Sequence, residues 1–266
     1  MIRAAVLGSP ISHSLSPTLH TTAYKEMGIE GSFEAIEVRS GELGKFVESR
    51  DSSWTGFSLT MPLKEEVIEI ADVIDEIALQ IASANTLTRS GDNWKVTSTD
   101  VNGFVQSLYA HGFREFESVV ILGSGASARA AAAACSALTN EIQVLHRSIK
   151  RESAMRNSAP DVEMNFLDWE ATVPRADLVI NTTPAGVADK FIGQAKFDGV
   201  FFEALYNPWP TKILQYARSN GAYGIDGLEL LIHQGIDQVS IMSGMAMDRG
   251  ELAPILRAAC LAKLGQ

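Results

Sequence analysis

Cysteine is scarce: the 266 residues hold only Cys135 and Cys260, far apart, with no CxxC spacing and no cysteine/histidine cluster. That excludes a disulfide scaffold and a zinc-ribbon type of centre. Each cysteine falls in an alanine- or leucine-rich helical pattern, reads as a small buried apolar residue, and suits a reducing compartment. Positive charge is in deficit as well, 22 Lys and Arg against 32 Asp and Glu, for a net charge of -10. Such a balance opposes attraction to nucleic acid phosphates or an anionic membrane. No apolar run reaches the roughly 20 residues that span a bilayer, and Met1 to Ser9 lacks the basic-then-apolar layout of an export signal. Repeats, low-complexity tracts and polar linkers are missing too. The expectation is a cytoplasmic protein with no nucleic acid or membrane partner and no metal site.

What the sequence does contain is a core. Hydrophobic residues make up 46% and charged residues 20%, the balance of a compact protein. Short apolar runs alternate with helical patterns, which argues for α/β architecture with mainly parallel sheets. Strands are expected near Ile2 to Leu7, Phe33 to Val38, Gly56 to Leu59 and Thr86 to Thr88. Helices are expected at Pro17 to Met27, Glu42 to Ser49, Lys64 to Ala71 and Ile74 to Ile81. A second series of strands runs Val119 to Leu122, Ile142 to Leu145, Met164 to Phe166, Leu178 to Ile180 and Val200 to Ala204. Its longest helix, Ala126 to Leu138, is rich enough in alanine to pack very close to a sheet. Asn102 to His111 reads as a connecting helix, and two helices, Gly227 to about Met242 and Glu251 to Leu264, close the chain.

Directly after the strand Val119 to Leu122 stands Gly123-Ser124-Gly125-Ala126-Ser127-Ala128, a GxGxxA turn opening the alanine-rich helix. The first glycine permits a tight turn, the second admits a pyrophosphate to the backbone, and the helix N-terminus favours its negative charge. Between a clear strand and a clear helix, this is a dinucleotide site. An NAD site places an acid at the end of the next strand to bond the ribose hydroxyls. Here that stretch reads His146-Arg147-Ser148-Ile149-Lys150-Arg151, without a carboxylate. Guanidinium groups at Arg147 and Arg151, with the point charge of Lys150, match a 2′-phosphate and point to NADP.

The first half carries polar residues at element edges. Ser14 and Ser16 precede Pro17 at a helix start, where one serine suffices as a cap and both suit a carboxylate. Thr60 stands at a strand end, and Lys64 sits on the first turn of a helix, where a cation is disfavoured. Asn85-Thr86 and Thr99-Asp100 lie at further edges, and Gln234 interrupts an apolar helix.

Together these segments resemble the shikimate dehydrogenase family over essentially the whole chain. The resemblance rests on Gly8-Ser9-Pro10-Ile11 with His13-Ser14-Leu15-Ser16-Pro17, Thr60-Met61-Pro62-Leu63-Lys64, Ala84-Asn85-Thr86-Leu87, Ser98-Thr99-Asp100, the glycine turn, Asn181-Thr182-Thr183-Pro184, and Asp226-Gly227-Leu228 leading to His233-Gln234. Tyr206-Asn207-Pro208-Trp209-Pro210-Thr211 looks most like the actinobacterial branch. The resemblance implies a substrate-binding and catalytic domain over residues 1–100 plus 229–266 and a Rossmann-type NADP domain over 101–228. It implies substrate carboxylate binding by Ser14 and Ser16, ring-hydroxyl binding by Thr60, Asn85 and Gln234, and a catalytic pair of Lys64 and Asp100. Toward NADP it implies Gly123, Ser124, Gly125, Ala126, Ser127, Arg147, Lys150, Arg151, Thr182, Tyr206 and Gly227. The small-molecule substrate is then shikimate or 3-dehydroshikimate, held in a cleft between the domains, and the assembly a monomer or homodimer. Ser98, Val101 and Ala126 depart from the family's commoner residues, and the asparagine and arginine that usually precede a threonine in the family's NADP loop are here His146 and Arg147 before Ser148. Two alternatives stay open: a quinate or dual quinate/shikimate dehydrogenase or a paralogue acting on a related cyclic polyol acid, and a noncatalytic dinucleotide-responsive binding protein. The paired Lys64 and Asp100 count against the second, since holding a ligand does not require a proton-transfer pair.

Overall fold

A computed structural model describes all residues, 1–266, and divides the chain into two compact units, Met1–Thr99 with Leu231–Gln266, and Asp100–Leu230. The first unit carries a six-stranded sheet in the order β2-β1-β3-β5-β6-β4. Its strands are β1 (Ile2–Gly8), β2 (Gly31–Glu37), β3 (Gly56–Leu59), β4 (Val73–Ile74), β5 (Thr86–Ser90) and β6 (Asn93–Thr97). β1 pairs in parallel with β2 and β3, and β4 with β6, whereas β5 runs antiparallel to both β3 and β6. Helices α1 (Ser16–Glu26), α2 (Leu43–Glu48), α3 (Leu63–Ile70) and α4 (Glu76–Gln80) connect these strands. On one side of the sheet Leu7, Leu43, Phe57, Leu59, Leu63, Val67, Leu87 and Val96 form a continuous core. Burying each such large side chain contributes about 1.5–3 kcal/mol.

Two elements here depart from the sequence expectation. The helix expected over Ile74 to Ile81 is a short strand, β4, followed by α4, because Asp75 stops the strand and caps the helix by accepting from Ala78 N at 2.9 Å. β6 was not anticipated; it pairs with β5 through a turn at Gly91, whose φ of +63° favours glycine. Its residues alternate, with Trp94 and Val96 buried and Asn93 and Lys95 exposed.

The second unit opens with α5 (Asp100–Ala110) and builds an all-parallel sheet in the order β12-β11-β10-β7-β8-β9. Its strands are β7 (Val119–Leu122), β8 (Glu141–His146), β9 (Glu163–Asp168), β10 (Leu178–Asn181), β11 (Val200–Glu203) and β12 (Tyr223–Ile225). Counted within this unit the order is 3-2-1-4-5-6, the doubly wound arrangement whose chain reversal lies between its first and fourth strands, β7 and β10. Every residue of β7, β10 and β11 is buried, which is why these strands read as apolar stretches, broken only by Asn181 at the end of β10 and Glu203 at the end of β11. β12, only three residues with a central glycine, was not anticipated. Helix α6 (Ala126–Cys135) lays Ala128, Ala130, Ala131, Ala132 and Ala134 against its surroundings at essentially zero exposure. α7 (Glu152–Ser158) and α8 (Lys212–Ser219) follow. The boundary between units falls inside α9 (Gly227–Ser243), and α10 (Arg249–Lys263) packs on α1. Cys135 and Cys260 are both buried free thiols; burial pushes them up to about 12 and about 11 respectively, which keeps them protonated and inert. No helix is long and apolar enough to cross a membrane.

Candidate active site

In the first unit the polar residues singled out above gather around Asn85, which is only 2% exposed. Its Nδ2 donates to Gln234 Oε1 and to Thr99 Oγ1, both at 2.9 Å. Its Oδ1 accepts from Thr99 N at 2.8 Å and from Thr86 Oγ1 at 2.9 Å. Two donor hydrogens and two lone pairs thus all have partners. A ligand hydroxyl that bonds Asn85 therefore takes the place of one of them.

The backbone ties the other candidates to this hub. Leu59 N donates to Asn85 O at 2.8 Å, which sets Thr60 immediately beyond the end of β3. Ala84 N donates to Lys64 O at 2.8 Å, so the first turn of α3 lies alongside the residue preceding Asn85. Lys64 is half-buried and follows Leu63, which is fully buried and fixes that turn. Asp100 is the residue after Thr99, is 5% exposed and begins α5. Gly8 brings the end of β1 against Thr60: a side chain there would collide with Thr60 Cγ2 and stand 2.9 Å from Met61 O. Ser9 N donates to Met61 O at 3.1 Å, so the segment leading to Ser14 and Ser16 leaves the sheet beside Thr60. Neither serine caps α1 in the ordinary way; Leu15 holds the N-cap position, and Ser14 Oγ accepts from Ser16 N at 3.3 Å.

Sequence reasoning missed a second layer beneath this hub. Gln238 is one helical turn beyond Gln234 and fully buried, and its Nε2 donates to Asn85 O at 2.9 Å and Thr86 Oγ1 at 3.0 Å. His20 Nε2 meets Gln238 Oε1 at 3.3 Å while its ring stacks on Phe33 at 3.8 Å. Burial pushes His20 down to about 3, against a smaller opposing effect from Gln238, so the imidazole is neutral at physiological pH. The available signal was the pair Gln234 and Gln238 at i, i+4 on α9, where Leu231, Ile232, Ile236 and Val239 are the apolar neighbours.

In the second unit the glycine turn has the geometry a dinucleotide requires. Gly123 has φ +110°, and a Cβ there would lie 2.7 Å from Thr182 Oγ1. Thr182 Oγ1 in turn donates to Leu122 O at 2.8 Å, across the chain reversal between β7 and β10. At Gly125 a Cβ would meet no clash, only ordinary contact with Arg151 Nη1 at 3.5 Å. The backbone is bare at the N-terminus of α6, with Ser124, Ala126 and Ser127 around it, and a guanidinium stands beside it. That arrangement fits an anionic pyrophosphate with a further phosphate close by. Arg147 and Lys150 are exposed on the turn after β8. The turn is held by His146, whose Nδ1 lies 3.1 Å from Ser148 O and whose Nε2 lies 3.2 Å from Glu152 Oε1. Gly227 admits no side chain because a Cβ would run into the Leu205 carbonyl and come within 2.9 Å of Tyr206 N.

Residues 6–87 match the family described as the shikimate dehydrogenase substrate binding domain. The chain is 32% identical over 256 residues to the shikimate dehydrogenase (NADP(+)) of Trichormus variabilis, covering 89% of each protein. Among solved structures it is similar to Mycobacterium tuberculosis shikimate dehydrogenase, at 32% identity and TM-score 0.87, covering 97% of this chain and 99% of that one. It is similar also to Thermus thermophilus shikimate 5-dehydrogenase in complex with NADP(H) and shikimate, at 29% identity and TM-score 0.83, covering 97% and 100%. Identity spread over most of both chains, on one shared fold, makes this protein a member of the shikimate dehydrogenase family.

Proposed function

We propose that the protein is an NADP-dependent oxidoreductase that interconverts 3-dehydroshikimate and shikimate. The observation that carries this reading is the buried Asn85 hub, with Gln234 and Thr99 on its side chain and Thr60 and Lys64 held next to it through the backbone. A polyhydroxylated ring needs such a set of amide and hydroxyl groups, each able to exchange an internal partner for a ring hydroxyl. Ser14 and Ser16 hold the carboxylate; Thr60, Asn85 and Gln234 hold ring hydroxyls.

NADP(H), when bound, supplies or accepts the hydride at C3 of the ring. Lys64 acts on the oxygen at that carbon. In the direction of reduction its ammonium donates a hydrogen bond and then a proton as negative charge develops; in oxidation the amine takes the hydroxyl proton. Asp100 orients the lysine and balances its charge. The nucleotide is held by the backbone of Gly123, Ser124, Gly125, Ala126 and Ser127, with Arg147, Lys150 and Arg151 on the 2′-phosphate. Thr182, Tyr206 and Gly227 border the same nucleotide. Residues 1–100 plus 229–266 form the substrate-binding part, and 101–228 the NADP-binding part. The buried thiols Cys135 and Cys260 suit a reducing compartment, and we place the enzyme in the cytoplasm.

The test is NADPH absorbance on mixing purified protein with shikimate and NADP+, with quinate and NAD+ in parallel. NADPH formation from shikimate in clear excess over the three control pairs supports the reading. NADPH binding without turnover of either acid would leave a binding protein instead.

A further inference from the structure

Glu203 ends β11 with 0% exposure and lies outside the substrate hub around Asn85. Its carboxylate accepts four hydrogen bonds: Asn181 Nδ2 reaches Oε1 at 3.1 Å and Oε2 at 3.0 Å, Leu205 N reaches Oε1 at 3.1 Å, and Thr211 Oγ1 reaches Oε2 at 2.8 Å. Burial pushes this carboxyl up to about 7, with the bonds from Asn181, Thr211 and Leu205 pulling the other way. A buried carboxylate without a cation is costly. An amide would cost less, but it offers one acceptor oxygen where every partner here is a donor.

The partners of Glu203 lead to the cofactor segments. Asn181 Oδ1 accepts from Thr183 N at 3.1 Å and Thr183 Oγ1 at 2.7 Å, which sets the turn carrying Thr182, whose hydroxyl lies against Gly123. Leu205 N, held by Glu203, fixes the Leu205–Tyr206 backbone against which Gly227 packs. Thr211 is the N-cap of α8, accepting from Leu214 N at 3.3 Å while donating to Glu203.

We propose that Glu203 is a positioning residue for the nucleotide: an acceptor-only clamp that sets Thr182, Tyr206 and Gly227 together for NADP(H). This rests on the assignment of those three residues to the cofactor.

The test compares Glu203→Gln, the double variant Glu203→Gln with Asn181→Asp, and Thr182→Val. NADPH affinity is read by fluorescence titration of the protein alone, beside the KM for NADP+, the KM for shikimate and the thermal midpoint. Glu203→Gln sets two amide NH2 groups against each other, and we expect NADPH binding about tenfold weaker with the shikimate KM within about twofold, as one charge-assisted bond is lost. In the double variant the introduced amide donates to the introduced carboxylate and to Thr211 Oγ1, and NADPH affinity returns to within about threefold of the parent. A single variant that melts earlier but binds NADPH like the parent overturns the proposal, because a merely structural carboxylate does that. If the single variant does not fold, the double variant decides: parent-like NADPH affinity supports the clamp, and weak binding by a well-folded double variant overturns it. Unchanged NADPH affinity in Thr182→Val, with Glu203 intact, marks failure of the cofactor assignment itself and takes the proposal with it.

Discussion

Replacing Gly123 with alanine isolates the close approach on which the nucleotide turn depends. Two penalties follow from the structure. The backbone at φ +110° is sparsely populated by residues with a Cβ, at a cost of about 1–3 kcal/mol. The Cβ would also stand 2.7 Å from Thr182 Oγ1 and push that hydroxyl off its 2.8 Å bond to Leu122 O, at about 0.5–1.5 kcal/mol. Together they come to about 2–4 kcal/mol. Gly112 supplies the control in the same unit: its φ is +84°, and nothing lies within 4 Å of its Cβ position, so alanine there costs only the left-handed penalty of about 1–2 kcal/mol. At about 3 °C per kcal/mol, Gly123→Ala lowers the thermal midpoint by roughly 6–12 °C and Gly112→Ala by roughly 3–6 °C. Scanning calorimetry of both variants reads the difference, and NADPH titration of the folded proteins shows weakened binding only for Gly123→Ala. Equal midpoints for the two variants, or parent-like NADPH affinity in Gly123→Ala, would refute the reasoning.

Reversing the charge of the basic loop with Arg147→Asp raises the KM for NADPH sharply while leaving the shikimate KM in place; unchanged NADPH kinetics remove Arg147 from the 2′-phosphate site. His20 predicts a pH dependence. Its folded value, about 3, lies below the unfolded 6.5, so the unfolded chain binds the extra proton, and stability present above pH 6.5 is lost as pH falls toward 3. His20→Leu should flatten the acid limb of unfolding free energy against pH over that window; an unaltered slope would show that His20 does not contribute to it.

Much of this molecule is legible from its residues because the two sheets announce themselves differently. The strands Val119–Leu122 and Val200–Glu203 lie inside a parallel sheet buried on both faces, so the first is apolar throughout and the second is apolar up to Glu203. By contrast β6 hides in Asn93–Thr97, where only Trp94 and Val96 point inward, and β4 is two residues long and sits inside a pattern spaced like a helix. The glycine turn was readable because Gly123 and Gly125 fall between a strand and a helix. Gln238, His20 and Glu203 were not, since a buried polar side chain in an apolar element reveals its purpose only through partners distant in sequence, such as Asn85 for Gln238 or Asn181 for Glu203. Glu203 did leave a trace, as the one carboxylate in the run Val200 to Ala204.

The central claim is that Lys64 handles the proton at the reacting oxygen, and pre-steady-state turnover of Lys64→Ala tests it most directly. Loss of a general acid and base lowers the rate by about 10²–10⁴-fold. Shikimate oxidation by Lys64→Ala should fall by that factor, with shikimate and NADPH still bound at close to parent affinity. Turnover within a few-fold of the parent would contradict it.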